Sequence, residues 1–100
     1  MGQKVARLGD SVATGHGCTP VTAIQGPCSS NVKINGIKAA RQTDILVPHT
    51  IGTPPFCAGH PSAVNLGSTT VKVNGLPIAR FGDSADLGTI TNGSTNVFAG

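Results

Sequence analysis

The sequence predicts an all-β fold, a small domain built from three similar β-hairpin units. Only 11% of the residues are charged, and 14 glycines and 7 prolines stand among the 100 residues. A sparsely charged chain rich in Thr, Asn, Gly and Val is typical of short strands joined by many turns. The other two observations are an internal repeat and an Asn-Gly pair at the same place in each complete copy of it.

The repeat appears when the chain is aligned with itself. Two segments match without gaps, SSNVKINGIKAARQTD (29–44) and STTVKVNGLPIARFGD (68–83). The chain ends supply the halves of a third copy, since ARLGD (6–10) matches the tail of the unit and STNVFAG (94–100) matches its head. The sequence therefore predicts three units, one of which is formed by the two ends of the chain. This arrangement would bring the termini close together.

Each unit has the pattern of a β-hairpin. Val32 and Ile34 alternate with Lys33, which predicts a strand with one apolar face. Asn35-Gly36 follows at once, and Asn-Gly pairs accept the positive φ that two-residue hairpin turns require. Residues 71–75 repeat the pattern. Each unit is thus expected to be a short hairpin, and together the units would form a small three-sided β body.

Every unit ends with an arginine followed three residues later by an aspartate. An exposed pair of this kind contributes less than about 1 kcal/mol. A half-buried bidentate pair would instead fix the same turn in every unit, and the threefold recurrence favours this second interpretation. Either role is structural. The pairs are Arg7 with Asp10, Arg41 with Asp44 and Arg80 with Asp83.

All histidines and cysteines fall in two long inserts, 11–28 and 45–67. The segment PFCAGHP (55–61) contains too much Pro and Gly for a helix and is too interrupted for a central strand. We therefore expect a metal to hold it. Zinc prefers thiolate and imidazole ligands, and a structural zinc site is closed by four of them. The predicted ligands of one structural zinc ion are His16, His49, Cys57 and His60.

The remaining thiols leave alternatives open. Cys18 lies two positions after His16 and could replace a histidine as a ligand. Cys28 could be a plain buried thiol, and a disulfide between Cys18 and Cys28 is the less favoured third possibility.

Composition argues against several functions. The net charge is +3, but the basic residues are scattered along the chain and only three aromatic residues are present, so nucleic-acid binding is not expected. The N-terminal segment lacks the apolar stretch of a secretory signal, and no window approaches membrane-spanning length. We expect one domain, 1–100, made in the cytoplasm, where cysteines are usually thiols or metal ligands.

The unit ends KAAR (38–41) and PIAR (77–80) resemble the Pro-Ala-Ala-Arg signature of the PAAR-repeat family. ATGHGC (13–18) and GSTNVFAG (93–100) are similar to the first and last segments of that family, so the resemblance covers essentially the whole chain. The departures are Lys38, Ile78 and Thr43, the last standing where the other two units have glycine.

The resemblance implies a cone-shaped β fold that caps the blunt end of a trimeric, VgrG-like β-helical spike, in type VI secretion or a contractile phage tail. It also implies a zinc near the apex held by three histidines and one cysteine, matching the set above by position. The tip would help the spike pierce a membrane, and effector cargo would either bind non-covalently or be absent, since no effector extension is expected. The protein would be assembled in the cytoplasm and delivered outside the cell. The strands around Val32, Val71 and Val97 are the predicted docking face.

Two other functions compete with this one. An adaptor would only link a separate effector to the spike. A small zinc hydrolase would need an open coordination position and a general base. The chain contains no glutamate, and its single aspartate outside the Arg-Asp pairs, Asp86, is expected to lie apart from the ligands. The sequence therefore predicts a protein that is not an enzyme.

Overall fold

The computed structural model describes residues 2–100, and within that range all regular secondary structure is β. No helix long and apolar enough to cross a membrane occurs in those residues. The strands are β1 Gln3–Lys4, β2 Ser11–Ala13, β3 Val21–Gly26, β4 Lys33–Ile34, β5 Ile37–Lys38, β6 Ile45–Leu46, β7 His49–Thr53, β8 Phe56–His60, β9 Lys72–Val73, β10 Leu76–Pro77, β11 Ser84–Ala85, β12 Gly88–Ile90 and β13 Phe98–Ala99. The all-β prediction is confirmed.

Three equivalent hairpins occupy one end of the molecule. They are β4–β5, β9–β10 and a third formed by the two ends of the chain, β13–β1. In the first two, both residues of the Asn-Gly turn have positive φ, 56° and 79° in one and 55° and 79° in the other. Positive φ at both central residues is typical of the type I′ turn, whose twist matches that of the two strands it connects. The repeat, its turns and the proximity of the termini are therefore confirmed.

A closed ring of backbone hydrogen bonds joins the three units. The Ala6 N–H donates to the Ala79 carbonyl, Ala79 to Ala40, and Ala40 back to Ala6, at 2.9, 2.9 and 3.0 Å. All three alanines are completely buried. Because three backbones meet at one axis here, only a small side chain fits, which explains why each unit carries alanine immediately before its arginine.

The Arg-Asp pairs fix the turn that follows the ring. In each pair, the Nε and Nη2 atoms of the arginine donate to the two carboxylate oxygens at 2.9–3.2 Å, and the arginine's own backbone N–H donates to one of them. Arg41 and Asp44 are 13% and 2% exposed in their side chains. Asp44 also accepts the Cys28 N–H at 3.1 Å. The pairs are bidentate and largely shielded from water.

A second ring of strands follows these turns. Sheet order is β11–β12–β2–β3–β6, and bridges at Ile45–Ala63 and Val64–Ala85 carry it from β6 back to β11. Each unit therefore sends one strand away from the hairpin end, and this strand pairs with the strand that leads back in the neighbouring unit. The ring of strands is closed. The two long inserts are therefore not simply loops, because residues near both ends of each insert form this ring. There are also three inserts, since 84–93 contributes β11 and β12.

The core lies in layers along the axis of the ring. One cluster, inside the hairpin end, contains Val5, Ile34, Ala39, Val73, Ile78 and Ala99, with Val32 and Val97 packed against it. The other, inside the strand ring, is centred on Val12, Ile24, Leu46, Val64 and Ile90. Ile24, Val64 and Ile90 are equivalent, since each donates its N–H to the carbonyl of the aspartate in its own unit at 3.0 Å.

Beyond the ring the molecule narrows to one hairpin. The chain turns back within the 84–93 insert after two residues, whereas the 45–67 insert continues into β7–β8. The molecule measures 41 × 25 × 21 Å along its principal axes, and Phe56 at the far end is 83% exposed. The segment 55–61 is not a central strand, as expected, but strand pairing does hold it: Phe56–His60 is β8, paired residue by residue with β7 in a two-stranded sheet. Hereafter this end, comprising residues 14–19, 49–60 and 86, is called the tip.

Candidate metal centre

Three imidazoles and one carboxylate meet where the tip joins the strand ring. His49 is the first residue of β7 and lies directly opposite His60, the last residue of β8. His16 follows β2, and its backbone N–H donates to the Thr14 hydroxyl at 3.1 Å. Asp86 occupies the β11–β12 turn with φ of 54°. Each of the three inserts thus contributes to one cluster, and the antiparallel pairing of β7 and β8 supplies its fourth member.

The four side chains converge closely. The Nε2 atom of His16 lies 2.9 Å from each carboxylate oxygen of Asp86. The Nε2 atoms of His49 and His60 lie 2.6 and 3.0 Å from Oδ2 and Oδ1. One ligand atom from each residue falls within 4.8 Å of all the others, which is the spacing of ligands around a single ion. The side chains of His16, His49 and Asp86 are at most 3% exposed, whereas His60 is 26% exposed.

The protonation pattern of His49 favours a cation between these groups. Its Nδ1 lies 2.9 Å from the Val47 carbonyl, which can only accept, so Nδ1 carries the hydrogen. In the neutral ring, Nε2 then directs a lone pair at the Asp86 carboxylate. Two acceptors 2.6 Å apart repel each other unless a proton or a metal ion lies between them. A carbonyl that fixes the histidine tautomer in this way is the usual outer partner of a metal-bound imidazole.

Electrostatics keep the carboxylate charged. Burial by itself raises the pKa of Asp86, but the close contacts with the imidazoles of His60, His49 and His16 outweigh burial, so the pKa lies below its usual value. A buried anion facing three imidazole nitrogens suits a divalent cation, because nitrogen and carboxylate oxygen are both good ligands for zinc. The group His16, His49, His60 and Asp86 therefore fits a metal ion.

Cys57 lies outside this cluster. It is three residues before His60 on β8, and successive side chains of a strand point to opposite faces, so the two face opposite ways. The Sγ of Cys57 is bonded to Cys18, with a Cα–Cα distance of 5.8 Å. The structure thus corrects the sequence prediction: Cys57 is in a disulfide, not beside the histidines, and Cys18 replaces no ligand. The Cys18–Cys28 pairing is also wrong.

Cys28 is the buried thiol that the sequence allowed. It is 3% exposed, and its pKa is raised to about 12, first by burial and then by the charge and hydrogen bond of Asp44. A thiol with so high a pKa has almost no thiolate at neutral pH and is chemically inert.

Asp86 is the residue that the sequence analysis missed, and its expected separation from the ligands is wrong. A signal for it was present in the repeat. His16 and His49 follow the Asp10 and Asp44 of their units by six and five residues, and Asp86 follows Asp83 by three. Each of the three units therefore places one possible ligand shortly after its Arg-x-x-Asp motif.

Outside the metal centre, the arginines and the lysines lie in different surroundings. All three arginines pair with aspartates, whereas the four lysines are exposed on strands of the hairpin end. The basic residues are scattered along the sequence, but folding collects the lysines at one end of the molecule: Lys4, Lys33, Lys38 and Lys72.

Fold and site together define a class of protein: a small all-β domain with a threefold hairpin end and an asymmetric tip, in which side chains from different inserts meet. The family model described as PAAR motif matches residues 14–86 of this 100-residue chain. The chain belongs to the PAAR-motif family. Membership implies a spike-tip protein of type VI secretion systems or related phage tails, and this is a structural family rather than an enzyme family. A search of curated proteins found no match.

Proposed function

We propose that this protein is the non-enzymatic, zinc-stabilised tip of a trimeric, VgrG-like β-helical spike and helps the spike pierce a target membrane. It is assembled in the cytoplasm and carried out of the cell, or to the target, on the spike or phage tail. The membrane is contacted transiently. No nucleic acid takes part.

The observation that carries the proposal is the threefold hairpin end. One chain there repeats the same hairpin three times around an axis, and backbone bonds close the ring between units. A trimer presents three copies of one surface around its own axis, so a pseudo-threefold monomer can match all three at once. The opposite end has no such repetition and narrows to one hairpin, as a tip requires.

The docking contacts are proposed to be side chains at the three equivalent valines. The backbone groups of these valines are not available for pairing with the spike. Each valine N–H binds a serine hydroxyl of its own unit, and each valine carbonyl accepts a bond within its own hairpin. Val71 is 37% exposed, and Val32 and Val97 are half-buried. They are therefore available for apolar packing but not for strand addition.

The zinc would stabilise a hairpin that has little core of its own. Four of the five residues of β8 are exposed, and β7 is half-buried or exposed beyond its first residue. A metal bound by His16, His49, His60 and Asp86 would link both strands of that hairpin to two other inserts. Metal–ligand bonds supply stability where apolar burial is small.

The zinc hydrolase has little support. Asp86 now lies at the centre, but there it is a fourth protein ligand, which closes a tetrahedral site. An open groove of about 580 Å³ lies beside it, lined by threonines and apolar residues. His49 is the one titratable residue of that lining, and both of its ring nitrogens are already engaged.

Co-purification with a candidate spike trimer tests the proposal. One chain and one zinc per three spike subunits is the expected stoichiometry. Val71→Asp should weaken capture at least tenfold, because a charge would replace an apolar contact. Val21→Asp is the matched control, since Val21 is 60% exposed on β3, outside the hairpin end, and should leave capture unchanged. Equal capture of both variants would overturn the docking face.

A genetic test distinguishes a piercing tip from an adaptor that only carries cargo. Deleting the gene should impair target penetration along with cargo delivery if the protein is a piercing tip. Lost cargo with normal penetration would favour the adaptor.

Binding to DNA or RNA that falls steeply with salt would contradict the expectation of no nucleic acid, and the four clustered lysines make this control worthwhile.

A further inference from the structure

We propose that the metal centre contains no thiolate, and that a separate Cys18–Cys57 disulfide cross-links the tip, so that metal binding does not depend on thiol redox state. This inference rests on the proposed metal site, with Asp86 as the anionic ligand. The tip would then carry two independent cross-links, formed by different chemistry on opposite faces of β8.

The geometry of β8 separates the two cross-links. Cys57 pairs with Gly52 across the hairpin, whereas His60 pairs with His49 three positions away. Since neighbouring positions of a strand alternate between faces, a residue and the third one after it cannot both point at the same ion without breaking the pairing. Recruiting Cys57 as a ligand would therefore require β8 to lose its regular strand conformation between Cys57 and His60.

The partner cysteine is placed by backbone contacts that do not need the disulfide. The Cys18 N–H donates to the Gly52 carbonyl at 3.1 Å, and Gly52 lies directly opposite Cys57. The next residue, Thr19, accepts the Thr50 N–H at 3.1 Å through its hydroxyl. Residues 18–19 therefore lie along β7 and bring the two sulfur atoms together.

The four ligands form a complete set without sulfur. Three neutral imidazoles and one carboxylate carry a single negative charge, the same charge as three imidazoles and a thiolate. Carboxylate oxygen is a harder ligand than sulfur, yet zinc accepts both. A thiolate ligand is lost when it is oxidised, whereas imidazole and carboxylate lie outside that oxidation chemistry.

The disulfide step balances with a disulfide oxidant such as oxidised glutathione. A Cys18 or Cys57 thiolate attacks a glutathione sulfur and releases one reduced glutathione; the other thiolate then attacks the mixed disulfide and releases a second. The two cysteines lose two electrons and two protons in total, and the oxidant gains them. Cys28 does not compete, because it is buried and its pKa is about 12.

Metal and thiol counts on the isolated chain test the inference. After oxidation with oxidised glutathione, the denatured, metal-free chain should show one thiol, from Cys28, and three after reduction. Zinc content should be one per chain in both states. The double variant Cys18→Ser/Cys57→Ser should also keep one zinc, whereas Asp86→Ala should weaken zinc binding at least tenfold.

Cobalt substitution of the wild-type chain gives a test that needs no variant. Cobalt(II) in the site should show tetrahedral ligand-field bands without a thiolate-to-metal charge-transfer band, before and after reduction. A thiolate band, or zinc loss in the double variant, would overturn the inference while leaving a metal-stabilised tip intact. Failure of the wild-type chain to bind zinc or cobalt at all would overturn the metal site itself. Spike capture is measured separately and depends on neither result.

Discussion

The hairpin end and the tip are stabilised in different ways. At the hairpin end, the same features recur: a buried alanine in a closed backbone ring and an arginine held by an aspartate occur three times, and an Asn-Gly turn occurs twice. At the tip, every contact is used once, and the side chains that meet there come from three different inserts.

The difference shows what symmetry contributes to a small domain. Repetition lets each unit satisfy the backbone of its neighbour, so the hairpin end needs few large apolar side chains. The single β7–β8 hairpin of the tip has no equivalent hairpin beside it to pack against. Phe56, at the end of this hairpin, is 83% exposed. Cross-links between side chains are the alternative source of stability where burial is small. The following experiments test this contrast, in order of decreasing effect.

Asp44→Ala should destabilise the whole domain most. The substitution leaves the Arg41 guanidinium and the Cys28 N–H without their acceptor in a site where Asp44 is 2% exposed. Removing one partner of a buried ion pair typically costs about 3–5 kcal/mol. Urea unfolding monitored by circular dichroism measures the loss. Asp83→Ala is the control and should cost less, about 1–3 kcal/mol, since Asp83 is 11% exposed and has no such amide contact. Equal losses would contradict the special role of Asp44.

Replacing Asn35-Gly36 with Val-Val should have the next largest effect. Both positions have positive φ, which costs a β-branched residue roughly 1–2 kcal/mol each, so the free energy of unfolding should fall by about 2–4 kcal/mol. The same change at Asn74-Gly75 should give a similar loss, because the two turns are equivalent. A loss at only one of the two would show that the repeat is not energetically symmetric.

Metal removal should affect the tip and spare the hairpin end. Amides of β7 and β8 should exchange with solvent at least tenfold faster after chelation, which corresponds to about 1.4 kcal/mol of local stability. The amides of Ala6, Ala40 and Ala79 serve as the internal control and should be unchanged within twofold. His60→Ala should reproduce the pattern. Uniform acceleration in both regions would mean that the ion stabilises the whole domain.

Phe56→Ser should have the smallest effect. An exposed side chain contributes little to folding, so we expect a change within about 0.5 kcal/mol in the free energy of unfolding. Thermal and urea unfolding of the variant measure it. A loss above 1.5 kcal/mol would show that Phe56 packs against another part of the tip, contrary to its exposure.

The sequence allowed good prediction where local pattern and structure coincide. Asn35-Gly36 became a turn because only a few residue types accept its φ values, and that preference is local. The three histidines were correctly assigned to one cluster, because they stand out in number and in position. Cys57 was assigned to the wrong group for a physical reason: closeness along the chain was taken as closeness in space, yet in a strand a separation of three reverses the face.

The sequence by itself determined the three hairpins, their order and the position of the chain ends within one of them, since strand alternation and turn chemistry are properties of neighbouring residues. Only the tertiary structure decided which side chains share the tip. Asp86 reaches the histidines, and Cys57 reaches Cys18, because separate inserts pair as strands in a closed ring and in a hairpin of fixed register. Contacts between inserts depend on that register, and register is set by the packing of the whole domain.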